Sequence, residues 1–419
     1  MMKRYIVWGT GSFGQDVVLR LISRFPIDYC VDSKIEPEDK GSFYGIDVYN
    51  PQKILMDKDQ IGKVKIIVAI EQCRGPVNQL LDNGFRFYDD FLPIQNFTNP
   101  MIDIGFFDYI KDRQERRTLI RKLAGNRKTC LVFGECHGRV YKLFFSMCRE
   151  FTEKYALIDI PHVNSATKWM QERLVHPEIY EECDVLVYNK VICAANKMLK
   201  LLPEHCQRIS VTNARFNGYT PQIIEQKGKT PWNPEIKLRH YVTWKDKYVD
   251  KMIEEGKSED EIIAEVSSER YLDNETVQKW IDDCLNELEY SEKDADVKIC
   301  DFMRTNCRKQ WLYFNWTMPC NELLEVIARR ILEKLDIHKT QDVNYKDLHY
   351  QLNDLECPVY PCVSNALGDD FRNTLPKSYI SISPFDLRSI TVSGGFTFEE
   401  AIRYYIRVCR GDLEKIWSK

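Results

Sequence analysis

The sequence predicts an α/β protein built on two parallel sheets. Three observations carry that prediction. Short apolar runs of strand type alternate with amphipathic helical patterns, an order that implies parallel pairing with helices packed on the sheet. A glycine-rich turn, GTGSFG, directly follows the first such run. The alternation then restarts after a basic helical segment, at TCLVFGECHGRVYKL (Thr129 to Leu143).

The elements follow in order. RYIVWG reads as a strand leading into GTGSFG, then the helical pattern QDVVLRLISRF, then the strand DYCVD ending at Asp32. A second cycle holds YGIDVYNPQKIL, the strand KVKIIVAI, a helix over PVNQLLDNG and the short FRFYDDFLPI, closing a Rossmann-like unit over residues 1–98. Residues 99–128 form a basic helical linker ending at Gly125, which reads as a solvated face. From residue 129 to 375 the strands TCLVFG, KYALIDI, CDVLVYN and QRISVTN define a second α/β segment. It carries a helical insert at about 232–298, with 16 acidic against 6 basic residues between Lys251 and Cys300, again a solvated face. The strand KQWLYFNW, the helix NELLEVIARRILEKL and an extension over 376–419 with a last helix complete the chain. The aromatic group Trp311, Tyr313, Phe314 and Trp316 reads as core rather than as a sugar platform.

Bulk properties narrow the function. At 419 residues the chain exceeds one typical core, and a net charge of −4 with pI near 6.1 argues against a nucleic-acid binder. No apolar run approaches the roughly 18 residues needed to span a bilayer. MMKRYIVWGTGSFG enters a strand directly and does not resemble a signal peptide, so a cytoplasmic location is expected. The 15 cysteines are scattered without a CxxC pair, which reads as free, mostly buried thiols and no structural metal.

Gly9, Gly11 and Gly14 form GxGxxG between strand and helix. The first permits a tight turn, the second lets backbone approach a phosphate, and the third lets helix and strand pack closely. Asp32, about 20 residues on, could bond a ribose hydroxyl. The unit is similar to small Rossmann-like domains at the front of sugar-modifying enzymes, which implies a nucleotide or nucleotide-sugar ligand. The alternative is a turn that has kept its glycines without a ligand.

The second segment places Gly134-Glu135-Cys136-His137-Gly138 between a strand and a helix. A thiol there stands above the sheet, beside free N–H groups that stabilise a thiolate and a nearby oxyanion. Esterases of the SGNH type put Gly-Asp-Ser at this place. Asn189, ending CDVLVYN, is a candidate oxyanion donor. Asn213, Arg215 and Tyr219 follow another strand end, where ligands gather in open α/β sheets. Both asparagines equally suit plain strand termini.

From Thr129 to about Asp369 the chain resembles the WcbI-type polysaccharide biosynthesis proteins. The resemblance rests on VFGECHGRV, FNGYTPQ, the insert YVTWKDKYVDKMIEEGKSEDEII, DVKICDFMRTNCRKQWLYFNWTMPCNELLEVIARRIL and CPVYPCVSNALG, in that order. It implies an SGNH-like, flavodoxin-like fold, a role in capsule assembly, binding of coenzyme A or acetyl-coenzyme A, and acyl transfer to a sugar. Catalytic roles then fall to Cys136, His137 and Asn189. Coenzyme A contacts fall to Gly134, Gly138, Arg139, Asn213, Arg215 and Tyr219, with Arg139 and Arg215 suited to its phosphates. The chain departs from the family by having Glu135 and His137 around its cysteine, and Met318-Pro319 where a His-Pro pair is expected. His137, His162 and His240 are the replacement candidates for a base. The expected partners are a sugar or glycan acceptor, and either a second copy of the chain or other polysaccharide-assembly enzymes. Two rival functions are a glycan esterase of the same fold and a non-catalytic docking protein.

Overall fold

A computed structural model describes residues 4–11, 14–15, 18, 27–70, 74–86, 89–93, 102–103, 110, 112–134, 136–159, 176–189, 200–225, 244–340, 356–376, 396–410 and 412. The first sheet contains β1 (Arg4–Trp8), β2 (Ile27–Val31), β3 (Gly41–Phe43), β4 (Ile46–Tyr49), β5 (Val64–Val68) and β6 (Phe91–Pro93). Their order is β3-β4-β2-β1-β5-β6, parallel except for the β3–β4 hairpin. Apolar residues run continuously through the central strands because both faces are covered: Ile6, Val7, Cys30, Val31, Ile66, Ile67 and Val68 are all fully buried. The hairpin was not expected. Its turn is Tyr44-Gly45, both at positive φ (53° and 78°), the conformation that a two-residue hairpin turn requires. Most of the helix expected after Gly14 lies outside the described residues.

The linker region forms α1 (Arg113–Ala124), capped by Asp112, whose carboxylate accepts from Glu115 N at 2.7 Å. Its basic face is not simply solvated. Arg117 and Arg121 both bind Glu182 (2.7 Å each), and Arg116 binds the fully buried Glu178. Leu119, Ile120 and Ala124 on the opposite face pack on the second sheet. The correction follows from α1 lying along the sheet, so that its arginines meet the acids of the segment Pro177–Glu181 and Glu182.

The second sheet holds β7 (Ile102–Asp103), β8 (Lys128–Phe133), β9 (Tyr155–Asp159), β10 (Val185–Asn189) and β11 (Gln207–Val211). Their order is β11-β10-β8-β9-β7 and every pair is parallel. Counted from β8 this is the doubly wound order 2-1-3-4, which reverses between β8 and β10; crevices open at such points, outside the carboxyl ends of the strands. The helix α2 (Cys136–Met147) follows β8 and buries Val140, Tyr141, Phe144 and Phe145.

A short antiparallel pair, β12 (Ile223–Glu225) and β13 (Trp244–Asp246), leads into the insert helices α3 (Lys247–Glu254), α4 (Glu259–Val266) and α5 (Asn274–Ser291). The insert does more than present a solvated face. Val249, Met252, Ile262, Val266, Ile281 and Leu285 join the same apolar core as Val132, Val187 and Val211 of the sheet. The hairpin β14 (Tyr313–Asn315) and β15 (Met318–Pro319) precedes α6 (Asn321–Lys334).

The last helix, α7 (Phe398–Arg410), is latched to the insert. Tyr405 donates to Asp250 Oδ1 (2.7 Å) and accepts from Asp246 N (2.9 Å), while Arg403 and Arg407 pair with Glu259. Asp246 is 1% exposed, and burial pushes its carboxyl up to about 6. Among the described residues, no helix is long and apolar enough to cross a membrane.

Candidate active site

β8 ends at Phe133, and the chain turns through Gly134 into α2, with Cys136 as the first residue of the helix. The turn is tight. A Cβ on Gly134 would stand 3.1 Å from Gly138 Cα and 3.2 Å from its nitrogen, so the two glycines allow helix and strand end to touch. No acid lies in the first turn of α2. The side chains of Cys136 and Arg139, and the whole of Glu135, His162 and His240, lie outside the described residues.

His137 turns inward and is 6% exposed. Its Nε2 lies 2.7 Å from the carbonyl oxygen of Thr317, the residue before Met318. A carbonyl only accepts, so Nε2 donates, and in the neutral ring the lone pair sits on Nδ1. Thr317 is itself held by Asn315, whose Oδ1 accepts from Thr317 N and Oγ1, at 3.0 Å each. The chain thus has Met318-Pro319 in the β14–β15 hairpin and an imidazole reaching the same hairpin from α2.

Asn189 ends β10, next to β8, and is 8% exposed. Its Nδ2 lies 3.5 Å from Asn213 Oδ1, a long contact. Gly134, His137, Tyr141, Asn189 and Thr212 surround a small space of about 10 Å³, close to the room one water needs. A larger cavity of about 500 Å³ adjoins it and shares Asn189, Val211 and Thr212 with it. Its walls include Asn213, Arg215 and Trp316 on one side and Glu287, Ser291 and Asp294 from α5 and the turn after it on the other.

Tyr219 does not reach this cavity's lining. It is 2% exposed in the apolar core, and its hydroxyl lies 2.9 Å from Cys307 O and 3.0 Å from Gln310 O; burial raises its phenol well above the ordinary value. The assignment to coenzyme A fails because the loop after β11 turns this ring toward the helix Cys300–Asn306 rather than toward the strand ends.

The front glycine loop has the expected geometry. Gly9 sits at φ 112°, and a Cβ on Gly14 would stand 2.0 Å from Gly9 O. Gly11 faces open space. Asp32, however, is committed to the protein. Its Oδ2 accepts from Thr10 N (2.8 Å) and Oγ1 (2.6 Å), and its Oδ1 accepts from Lys34 N (3.0 Å). Burial acts to raise its pKa, but those hydrogen bonds prevail and hold the carboxyl below the usual range. The expected ribose partner is thus the clamp of its own loop. The hydroxyl of Thr10, lying between the first two glycines, was the sequence signal for it.

Sequence reasoning missed Thr212, Glu287 and Asp294. Thr212 adjoins Asn213 and could have been found by the same strand-end rule. The two acids belong to an acidic run that gives no sign of facing a cavity. Trp316, read as core, borders the cavity, while Tyr313 of the same group is 2% exposed and does belong to the core.

Comparison with curated proteins gives no match. A solved structure of WcbI, described as a novel polysaccharide biosynthesis enzyme in its native form without a disulfide bond between coenzyme A and one of its cysteines, is similar at 17% identity and a TM-score of 0.49. The likeness covers 70% of this chain and 100% of that one. The family model for the polysaccharide biosynthesis enzyme WcbI matches residues 129–340, which span the parallel sheet from β8, the insert and the hairpin that holds His137. By that match the chain belongs to the WcbI family of polysaccharide biosynthesis enzymes.

Proposed function

We propose that the protein transfers an acyl group, such as acetyl, from coenzyme A to a hydroxyl of a sugar during polysaccharide synthesis. The observation that carries this reading is that His137 and Asn189 border one small space where the sheet order reverses, at the end of the strand that leads into Cys136. Cys136 opens α2, His137 is fixed by Thr317, and Asn189 ends the neighbouring strand. A helix N-terminus favours the thiolate and offers N–H donors to an oxyanion. Gly134 and Gly138 let donor backbone approach closely, and Arg139 supplies a cation for the phosphates.

In this mechanism the Cys136 thiolate attacks the carbonyl carbon of the acyl thioester. The C–S bond to coenzyme A breaks, and the leaving thiolate takes a proton from solvent. The acyl group then rests on Cys136 as a thioester, a nucleophilic strategy that splits one difficult step into two. His137 Nδ1 accepts the proton of the incoming sugar hydroxyl, whose oxygen attacks the same carbonyl carbon. Asn189 Nδ2 and the N–H groups of the α2 terminus stabilise each tetrahedral oxyanion. Collapse forms the ester and returns the thiolate.

Labelled acetyl-coenzyme A mixed with a panel of saccharides tests the reading. The expected result is label on a sugar, with one free coenzyme A released per ester formed. Release of acid from a simple acyl ester without coenzyme A would identify an esterase instead. Neither turnover nor a thermal shift with coenzyme A would favour the docking protein. The proposal does not extend to a nucleotide-sugar in the first sheet's loop, where Asp32 is engaged by Thr10 and Lys34.

A further inference from the structure

The 500 Å³ cavity joins apolar walls to several polar groups that have no hydrogen-bond partner among the described residues. Thr212 is 3% exposed, yet its Oγ1 has no hydrogen-bond partner among the described residues, a burial that ordinarily costs free energy. Asn213 Nδ2 and the Arg215 guanidinium also bond to nothing among the described residues, and neither do the carboxylates of Glu287 and Asp294. Trp316 contributes an indole, while its carbonyl accepts from Phe216 N (2.9 Å), which ties the β14–β15 hairpin to the loop after β11. A wall of amide, hydroxyl, carboxylate and guanidinium groups beside the rings of Phe216 and Trp316 is complementary to a polyol with an apolar ring face. The volume falls in the range of small-ligand clefts, about 300–1,000 Å³.

Charge separates the two candidate occupants. Glu287 and Asp294 outnumber Arg215 among the exposed charged groups at the cavity's rim, a balance that favours a neutral molecule over a polyanion such as coenzyme A. Position agrees. The cavity shares Asn189 and Thr212 with the small space beside His137, and the hairpin that supplies Trp316 also supplies the Thr317 carbonyl that holds the imidazole. A sugar seated there presents a hydroxyl toward the base.

We propose that this cavity is the acceptor subsite and takes a neutral, polyhydroxylated sugar ring. Asn213 and Arg215 then serve the acceptor rather than coenzyme A, and the insert, through α5, sets acceptor specificity. The inference rests on the acyltransferase reading for the identity of the reaction, but not for the identity of the occupant.

Calorimetric titration of the full chain tests it. The probes are methyl glycosides of neutral hexoses and 6-deoxyhexoses, the methyl glycoside of a hexuronic acid, and coenzyme A, on the wild type, Asn213→Ala and Glu287→Gln. The second variant changes an exposed position of α5 and so spares the fold. The expected result is binding of a neutral glycoside that either substitution weakens about tenfold, the scale of one lost hydrogen bond to a charged or buried group. Coenzyme A affinity should stay unchanged in both variants, and the two ligands should bind together. Three results would overturn the proposal: no binding across the glycosides, preference for the hexuronic acid, or weakening of coenzyme A in place of the glycoside. Glycoside binding lost in the variants, with no coenzyme A binding in any protein, would keep the subsite and remove the transferase reading instead.

Discussion

The molecule builds the same junction twice, and the two copies differ in what happens to their polar groups. After β1 and again after β8, a strand ends in glycine and the chain turns sharply, with two glycines touching where a Cβ would collide. At the front junction the acid ending the adjacent strand, Asp32, closes back on Thr10 and Lys34, and both of its oxygens are filled from within. At the second junction Asn189 ends the adjacent strand and Thr212 follows the next one over; both border an open cavity, and Thr212 has a hydroxyl without a partner among the described residues. Backbone shape alone therefore does not mark a reactive site. Polar groups left unfilled beside the turn are the better sign.

Changes at the two junctions should separate chemistry from scaffolding. The largest effect is expected at the second. Cys136→Ala should lower transfer at least about a thousandfold with little change in melting temperature. Wild-type turnover in that variant would return the sulfur to a packing role. His137→Gln comes next, with kcat down about a hundredfold or more in steady-state assays, since the amide cannot take the sugar's proton. Loss of stability without loss of kcat would make His137 only a strut for Thr317.

At the front junction the expected effects are on stability. Gly14→Ala places a methyl 2.0 Å from Gly9 O and should cost about 2–3 kcal/mol in denaturant unfolding, more than Gly134→Ala, whose new methyl meets backbone at 3.1 Å. The reverse order would mean that the β8 turn is the tighter packed. The smallest effect belongs to Asp32→Asn, about 1 kcal/mol, with transfer unchanged. Its sign with pH is fixed: the folded pKa lies below the unfolded one, so the contribution is present above the unfolded value and fades as pH falls through the folded one. Unfolding curves of wild type and variant should accordingly converge in acid.

Asp246 should show the opposite slope. Burial raises its folded pKa to about 6, so the folded state loses stability as pH rises from the unfolded value through that point. Asp246→Asn should therefore gain on the wild type at neutral pH, by roughly 2 kcal/mol, and lose that advantage near pH 4. An advantage independent of pH would show that the carboxyl stays neutral for another reason.

Much of this architecture was readable in advance because it depends on local signals. Continuous apolar runs gave the buried parallel strands, glycine spacing gave both turns, and Gly125 closed the basic helix. The rest depends on meetings between distant segments. His137 reaches a carbonyl 180 residues away, and nothing near it in the chain points there. Tyr219 follows a strand end like any ligand-binding residue, yet the loop turns it to core carbonyls. The acids of α5 look alike in sequence; only the packing of that helix across the strand ends brings Glu287 to the cavity and leaves Glu289 with Arg304.

The most direct test is the intact mass of the protein after brief exposure to acetyl-coenzyme A without sugar. The expected result is one added acetyl group on Cys136, removed by hydroxylamine and discharged by a competent sugar. An unmodified protein that still acetylates sugar at full rate would contradict it.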